Sequence, residues 1–180
     1  MTGQDTSKPE ARRAAILERL ADHVLAQGLS ASSLRPLAKA AGMSDRMLLY
    51  YFKDKGALIA AILELVAARL ATLMSAQAAN APLPLNRLRA RLVDVLFADA
   101  LWPYMRLWLE IASLAARGDP LFRAIGEQIG RGFLAWGAAQ LDSTDENARA
   151  RDAALLLVTI EGMVLLKSIG MDDVCGVAAG

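Results

Sequence analysis

The amino-acid sequence predicts an all-α fold with a small N-terminal domain, residues 1–55, and a larger helical domain, residues 56–180. Apolar residues recur at intervals of three and four along nearly all of the 180 residues, which is typical of helices with one buried face. No segment shows the strict alternation of apolar and polar residues that indicates a half-buried strand. A proline-rich break at residues 80–84 follows a long apolar segment and separates it from the rest of the chain.

The first helix is predicted over residues 10–27, where Ile16, Leu20 and Val24 recur every four residues and Gly28 ends the pattern. A loop at residues 28–30 leads into the next segment.

Residues 33–58 have the layout of a helix-turn-helix followed at once by a third helix. Ser33 can cap the first short helix, Gly42 allows the positive backbone dihedral of a tight turn, and Ser44 can cap the second helix. Pro36 is compatible with this arrangement, because the first turn of a helix has no acceptor for its N–H groups.

The second short helix has two different faces. At about 100° per residue, Arg46, Met47 and Tyr50 point away from the domain. The opposite, inward side is predicted to hold Leu48, Leu49 and Phe52. A short helix that presents a cation, an aromatic ring and a flexible apolar side chain outward is suited to contacting another molecule.

These elements resemble the DNA-binding domain of the TetR family of bacterial transcriptional regulators. The resemblance covers residues 10–60 and lies in Ala41-Gly42, Ser44, the run Tyr50-Tyr51-Phe52, and Lys55. It implies that the second helix enters a DNA groove and that Lys55 holds a phosphate together with Tyr51. The candidate DNA-contacting residues are Ser33, Arg35, Ser44, Asp45, Arg46, Met47, Tyr50, Tyr51 and Lys55.

Three positions depart from the family pattern, and one of them is Pro36, which interrupts the first turn of the first short helix. Leu49 stands where the family most often has Tyr, and Asp45 adds a negative charge at the edge that approaches DNA. Asp45 has two explanations: a charge favoured by the helix dipole, which we prefer, or an acceptor for a cytosine amino group.

Further helices are predicted over residues 55–78, 85–99, 102–117, 120–141 and 145–169. In the helix over 120–141 an apolar stripe lies opposite Arg123, Glu127 and Arg131.

The last helix is apolar all round between residues 153 and 166, except at Thr159 and Glu161. Because such a helix must be covered on every side, we infer that a second subunit covers part of it. Gly126 and Gly130 leave room for a neighbouring helix. The resemblance also implies a homodimer formed through the last two long helices.

Regulators that resemble this chain bind a small-molecule effector in the C-terminal domain. Large, adaptable side chains suit either a cavity for a largely apolar effector or ordinary core packing, and core packing is the commoner use. Glu161 is the better indicator, because a carboxylate in an apolar helix needs a partner. That partner is an arginine of the same chain, which we favour, or a cationic or hydrogen-bonding ligand. The candidate effector-binding residues are Trp102, Met105, Trp108, Phe133, Trp136, Glu161 and Met163.

Composition limits the other function classes. Residues 1–60 carry nine Lys and Arg against six Asp and Glu, although the net charge of the chain is only +1; this basic excess lies with the helix-turn-helix. The single histidine, His23, has no partner pattern for catalysis, and no phosphate-binding glycine loop is present. We therefore expect no enzyme activity, no cofactor and no metal.

The single cysteine, Cys175, excludes an internal disulfide and fits the reducing cytoplasm; we interpret it as a tail residue. The N-terminus is polar and predicts no signal peptide. The apolar run 153–166 is too short to cross a membrane and contains Glu161.

We hypothesise that the chain is a ligand-responsive transcriptional regulator, a repressor that binds an inverted-repeat operator in double-stranded DNA as a dimer. The alternative is a helical small-molecule-binding or scaffold dimer whose DNA binding is weak or lost. Asp45 and the modest basic excess favour that alternative.

Overall fold

The computed structural model describes residues 7–179 of the chain, and the side chains of residues 9–178. This part of the chain forms nine α-helices and one 3-10 turn, Leu29–Ala31. The helices are α1 (Ser7–Gln27), α2 (Leu34–Ala41), α3 (Asp45–Tyr51), α4 (Lys55–Ala76), α5 (Leu85–Phe97), α6 (Trp102–Ala116), α7 (Pro120–Gln140), α8 (Glu146–Ser168) and α9 (Asp172–Ala179). The all-α prediction is confirmed.

The helices form two compact units, Met1–Leu70 and Ala71–Gly180, and α4 begins in the first and ends in the second. By packing, the first unit therefore extends beyond residue 55, because the start of α4 contributes the buried side chains Leu58 and Ile62. The division of function at residue 55 stays a prediction.

The first unit is built on one apolar core. In α1 the predicted stripe is buried at Leu20 and Val24, and α2 packs against it through Leu37. Helix α2 in turn packs against α3, whose Leu48 is fully buried. Pro36 is the third residue of an unbroken α2, as the position of Ser33 predicts.

The turn between α2 and α3 has the predicted geometry. Gly42 adopts a φ of 72°, a left-handed conformation that costs glycine little because it has no Cβ atom. The backbone N–H groups of Gly42 and Met43 donate hydrogen bonds to the carbonyls of Lys39 and Ala38, respectively, both at 3.0 Å. Two orphan carbonyls at the end of α2 are thereby satisfied, and the chain is turned directly into α3.

Helix α4 is fastened to α1 by an ion-pair cluster. The guanidinium of Arg69 donates to Glu18 and, at 2.7 Å, to Asp22. These charge-assisted hydrogen bonds join residues far apart in sequence.

By length and composition alone α4 could cross a membrane, as could no other helix among residues 7–179. A core helix passes the same test, and α4 has the buried stripe of one.

In the second unit α6 packs on α7, α7 on α8, and α8 on both α5 and α9. A Cβ atom at Gly137 of α7 would lie 3.2 Å from Leu156 Cδ2 of α8, so the absence of a side chain there permits close packing. The Leu83 N–H donates to the Gln140 carbonyl at 2.8 Å, and the Asp142 N–H to the Leu83 carbonyl at 2.9 Å. The loop after α4 is thereby fixed to the end of α7.

The last helix, α9, is missing from the prediction, which left residues beyond 169 as a tail. Cys175 is buried in α9, and its thiol donates to the Met163 carbonyl at 3.4 Å. Lys167 of α8 lies over the rings of Phe97 and Trp102, at 5.0 and 5.1 Å, and pairs with Asp172 of α9. The interpretation of Cys175 as a tail residue is therefore wrong.

The core of the first unit leads to a stability prediction. Leu37→Ala removes a fully buried side chain and should lower the free energy of unfolding by about 2–5 kcal/mol, because it leaves a cavity. Lys39→Ala, at an exposed position of the same helix, should change it by no more than about 0.5 kcal/mol. Urea unfolding followed by circular dichroism measures both; equal effects would contradict the packing described.

Candidate functional site

The outward face of α3 is open, as the sequence predicts. Tyr50 is 81% exposed and Met47 is 46% exposed, and Arg46 is exposed beside them. The flanking candidates are exposed as well: Ser33, Arg35, Ser44, Asp45 and Lys55. Tyr51 is half-buried. We call these nine residues the reader surface; it gathers side chains from the starts of α2 and α4 and from the whole length of α3.

The opposite face of α3 holds the helix in place. Leu48 and Phe52 are buried, and the Arg13 guanidinium of α1 lies 4.8 Å from the centre of the Phe52 ring. Leu49 is 38% exposed, so its predicted place on the inward side is wrong. Leu49 follows Leu48 by one residue, which is a rotation of about 100° around the helix, so its side chain lies at the edge of the buried stripe.

Two serines precede the short helices, but only one caps with its side chain. The Ser44 hydroxyl accepts the Met47 N–H at 3.3 Å, as predicted. Ser33 occupies the N-cap position of α2 without a side-chain cap bond, and its backbone carbonyl accepts the Leu37 N–H. Asp45, the first residue of α3, is exposed; both explanations of its charge stay predictions.

Asp54 is a positioning residue that the sequence analysis missed. Its carboxylate accepts the Ala57 N–H at 2.8 Å, and its backbone carbonyl accepts the Leu58 N–H at 3.0 Å. Asp54 therefore caps α4 and fixes the position from which Lys55 projects. An aspartate immediately before an apolar periodic segment is a cap signal readable in the sequence.

A second candidate site lies in the other unit, around Glu161. The indole N–H of Trp108 in α6 donates to the Glu161 carboxylate of α8. The prediction of an arginine partner for Glu161 is wrong, because none of the four ion pairs found among the described residues includes Glu161. An indole satisfies one acceptor position without adding charge, so the carboxylate lacks a counter-ion.

The seven candidate effector-binding residues have different surroundings. Trp108 and Glu161 are joined directly, and a Cβ atom at Gly126 of α7 would lie 3.9 Å from Trp108 Cζ3. Phe133 and Trp136 stack with ring centres 5.9 Å apart. Met105 and Met163 are core residues, whereas the Trp102 ring packs against Phe97 and Lys167.

The first unit contains a known sequence pattern. Residues 16–62 match the family model described as bacterial regulatory proteins, tetR family, and the match includes the core of the first unit and both helices of the helix-turn-helix. Over these residues the chain is similar to the TetR family of regulators. Regulators of this family are non-enzymatic transcription factors, in agreement with the expectation that the chain is not an enzyme.

Solved structures of other proteins share the fold over most of the chain. A putative TetR-family transcriptional regulator from Rhodococcus sp. has a TM-score of 0.69 at 19% identity, covering 94% of this chain and 95% of its own. A transcriptional regulator from Rhodococcus sp. Rha1 has a TM-score of 0.67 at 24% identity, covering 93% of this chain and 86% of its own.

The Salmonella enterica protein GusR has a TM-score of 0.62 at 23% identity, covering 87% of this chain and 83% of its own. At these identities the likenesses show the fold alone. No curated protein sequence matches the chain.

The half-buried carboxylate of Glu161 is electrostatically perturbed. Burial raises the pKa of Glu161, and the hydrogen bond from Trp108 lowers that pKa in part. Among residues 7–179, no cluster of three or more His, Cys, Asp or Glu side chains could hold a metal ion. Glu161 therefore stands as an isolated anionic group between α6, α7 and α8.

The direction of the Glu161 pKa shift predicts a pH dependence of stability. A carboxyl with a raised pKa stabilises the fold below the ordinary glutamate pKa, about 4.3, and loses that contribution as pH rises through the raised pKa. Between these two pKa values, the free energy of unfolding of the wild type should therefore fall as pH rises, compared with that of Glu161→Gln. Urea unfolding at a series of pH values measures the difference. Trp108→Phe should move the range upward, and a difference independent of pH would contradict the burial described.

Proposed function

We propose that this chain is a TetR-family repressor that binds an inverted-repeat operator as a homodimer in the cytoplasm and is released by a small molecule. The observation that carries DNA reading is the exposed face of α3, which presents Arg46, Met47 and Tyr50 on a capped helix anchored by Leu48. A recognition helix of this kind reads base edges in the major groove.

The reader surface divides into two proposed roles. Arg46 and Tyr50 lie one turn apart on α3, where an arginine can donate to a base edge or phosphate and a tyrosine can pack on a thymine methyl group. Ser33, Arg35 and Lys55 lie at helix starts on the margin of that face, which suits contacts with the phosphate backbone. Tyr51 assists Lys55, and the edge-to-face contact of Tyr50 with Tyr51, 5.4 Å between ring centres, orients both rings.

The two roles predict different defects. Arg46→Ala should weaken operator binding by about 1–3 kcal/mol and relax sequence preference at one position, because a base contact is lost. Lys55→Ala should weaken binding to all sequences alike and lower the slope of log K against log salt by about one unit. Sequences selected from random DNA by the wild type supply the operator, and fluorescence anisotropy at several salt concentrations measures the binding.

Arg106→Ala is the matched control, because it removes the same charge from an exposed position of α6 in the other unit. It should leave operator affinity unchanged. Unchanged affinity of Arg46→Ala would overturn the proposed orientation of α3. If the wild type selected no sequence at all, the alternative of a small-molecule-binding or scaffold dimer would be favoured instead.

Dimerisation is supported by an apolar stripe on α8 that its own chain leaves uncovered. Val158, Leu155, Leu165 and Ile169 are 70%, 56%, 52% and 63% exposed, at spacings that follow one side of the helix. The other side is covered, at Leu156, Ile160 and Val164. The apolar side chains of the neighbouring α7 are only half-buried: Leu121, Phe122, Ile125, Ile129, Phe133, Leu134 and Trp136.

An apolar surface of this kind is typical of subunit interfaces. One helix-turn-helix contacts few base pairs, whereas a two-fold dimer presents two readers to an inverted repeat and doubles the contacts. A second copy seated on α7 and α8 would therefore serve both stability and DNA recognition.

Charges placed in the α8 stripe test this assembly. Val158→Glu and Leu165→Glu should each abolish the dimer, because burying an unpaired carboxylate in an apolar interface costs several kcal/mol. Both positions are more than half exposed in the protomer, so each variant should remain folded. We expect half the mass by light scattering, helical circular dichroism like that of the wild type, and loss of tight operator binding.

Ser113→Glu, which adds the same charge at an exposed position of α6, should remain dimeric and bind DNA. A wild type that is monomeric at micromolar concentration, or a charged α8 variant that keeps the full dimer mass, would contradict the proposed interface.

A further inference from the structure

The Glu161 carboxylate has more acceptor capacity than its own unit uses. A carboxylate offers about four acceptor positions on its two oxygens, and the Trp108 indole N–H supplies the single hydrogen bond found for them. The residues three and four positions away along α8 are all apolar: Leu157, Val158, Val164 and Leu165. None of these neighbours can donate a hydrogen bond or supply a positive charge, so the partly desolvated carboxylate gains more from a cation than from a neutral donor.

We propose that Glu161 and Trp108 form the binding point for the positively charged head of a largely apolar effector, such as a primary amine or a quaternary ammonium group. This inference rests on the proposed ligand response and adds the chemical class of the ligand. The carboxylate supplies the counter-charge. The indole ring, held beside it, supplies a face that attracts cations.

The location favours a ligand over a purely structural pair. Trp108 and Glu161 are both half-buried rather than sealed, so solvent reaches the pair. The Trp108 ring of α6 reaches α7, where a Cβ atom at Gly126 would lie in ordinary van der Waals contact with it, 3.9 Å from Cζ3. Three helices therefore meet at one accessible carboxylate, and an apolar body can lie against the Trp108 ring beside it.

The charge selects among ligands. An ammonium group pairs with the carboxylate and removes the cost of leaving it unpaired, whereas a hydroxyl of the same size supplies only a hydrogen bond. A ligand carboxylate would place two like charges together and is excluded. The site therefore discriminates by head group more strongly than by the length of the apolar tail.

The position also connects the ligand to the proposed dimer. Val158 and Leu165 of the exposed stripe lie three and four residues from Glu161 on the same helix. A ligand bound at Glu161 is therefore within about one turn of α8 from the proposed subunit contact, where a small shift of α8 changes how two copies meet.

Matched ligand series test the proposal on the full-length protein. Phenylalkylamines of graded chain length are compared with the phenylalkanols and phenylalkanoates of the same lengths, by isothermal titration calorimetry. At least one amine should bind about tenfold or more tighter than its alcohol, and the acids should not bind. Glu161→Gln should abolish the preference of amine over alcohol, with helical circular dichroism retained.

Trp108→Phe separates ligand recognition from structural support, because it removes the indole N–H and keeps an aromatic ring. It should retain the preference for the amine, whereas a merely structural pair would show no preference in any variant. If no amine of the series is preferred over its alcohol, or if Glu161→Gln keeps the preference, the proposal is overturned.

Release of operator DNA distinguishes failure of this inference from failure of the proposed function. Amine binding that depends on Glu161 but leaves operator affinity unchanged supports the cation site and contradicts the proposed ligand response. Release by a neutral or anionic compound, together with no amine preference, supports the proposed response and overturns the cation site.

Discussion

The burial of Leu48 and Phe52 beneath α3 is the contact on which DNA reading depends. An isolated helix of seven residues is unstable in water, so α3 exists only because it is fixed at its base and capped at its start. The Gly42 turn sets the direction in which α3 leaves α2, and the Ser44 hydroxyl satisfies its first turn. The Asp54 cap then starts α4 at once. A rigid base with three helix starts around it gives the exposed side chains one fixed arrangement, which sequence-specific contacts require.

The second unit follows the opposite rule, because its long helices are left partly uncovered. The only fully buried position of α7 is Gly137, and α8 divides into one buried side and one exposed side. A helix pair with this distribution of apolar surface can exchange partners: its own core, a second copy, or a small molecule. The Glu161 carboxylate, bonded to the Trp108 indole, is the polar group between α6 and α8 on which the proposed ligand selectivity rests.

Most helix bounds were predictable because periodicity and caps are local properties of the sequence. The bounds of α5 to α8 lie within two residues of the predicted ones at every end, and Asp119 and Asp145 cap α7 and α8 with their side chains. The misses depend on distant contacts. Helix α9 is short and contains Gly176, so it forms by packing Cys175 on α8. The exposure of Leu49 and the pairing of Glu161 with Trp108, 53 residues apart, depend on how neighbouring helices are placed, which helical periodicity does not specify.

The Arg69 cluster gives the protein a second sensitivity to electrolytes. Glu18 and Asp22 are more than half exposed where Arg69 pairs with them, so dissolved ions screen this attachment of α4 to α1. Phosphate contacts weaken under the same conditions through release of counterions. When ionic strength rises, operator affinity should therefore fall for two reasons. Contacts with DNA phosphates are lost, and α4, which begins at Lys55, is held less firmly to α1. Glu18→Gln with Asp22→Asn would separate the two contributions.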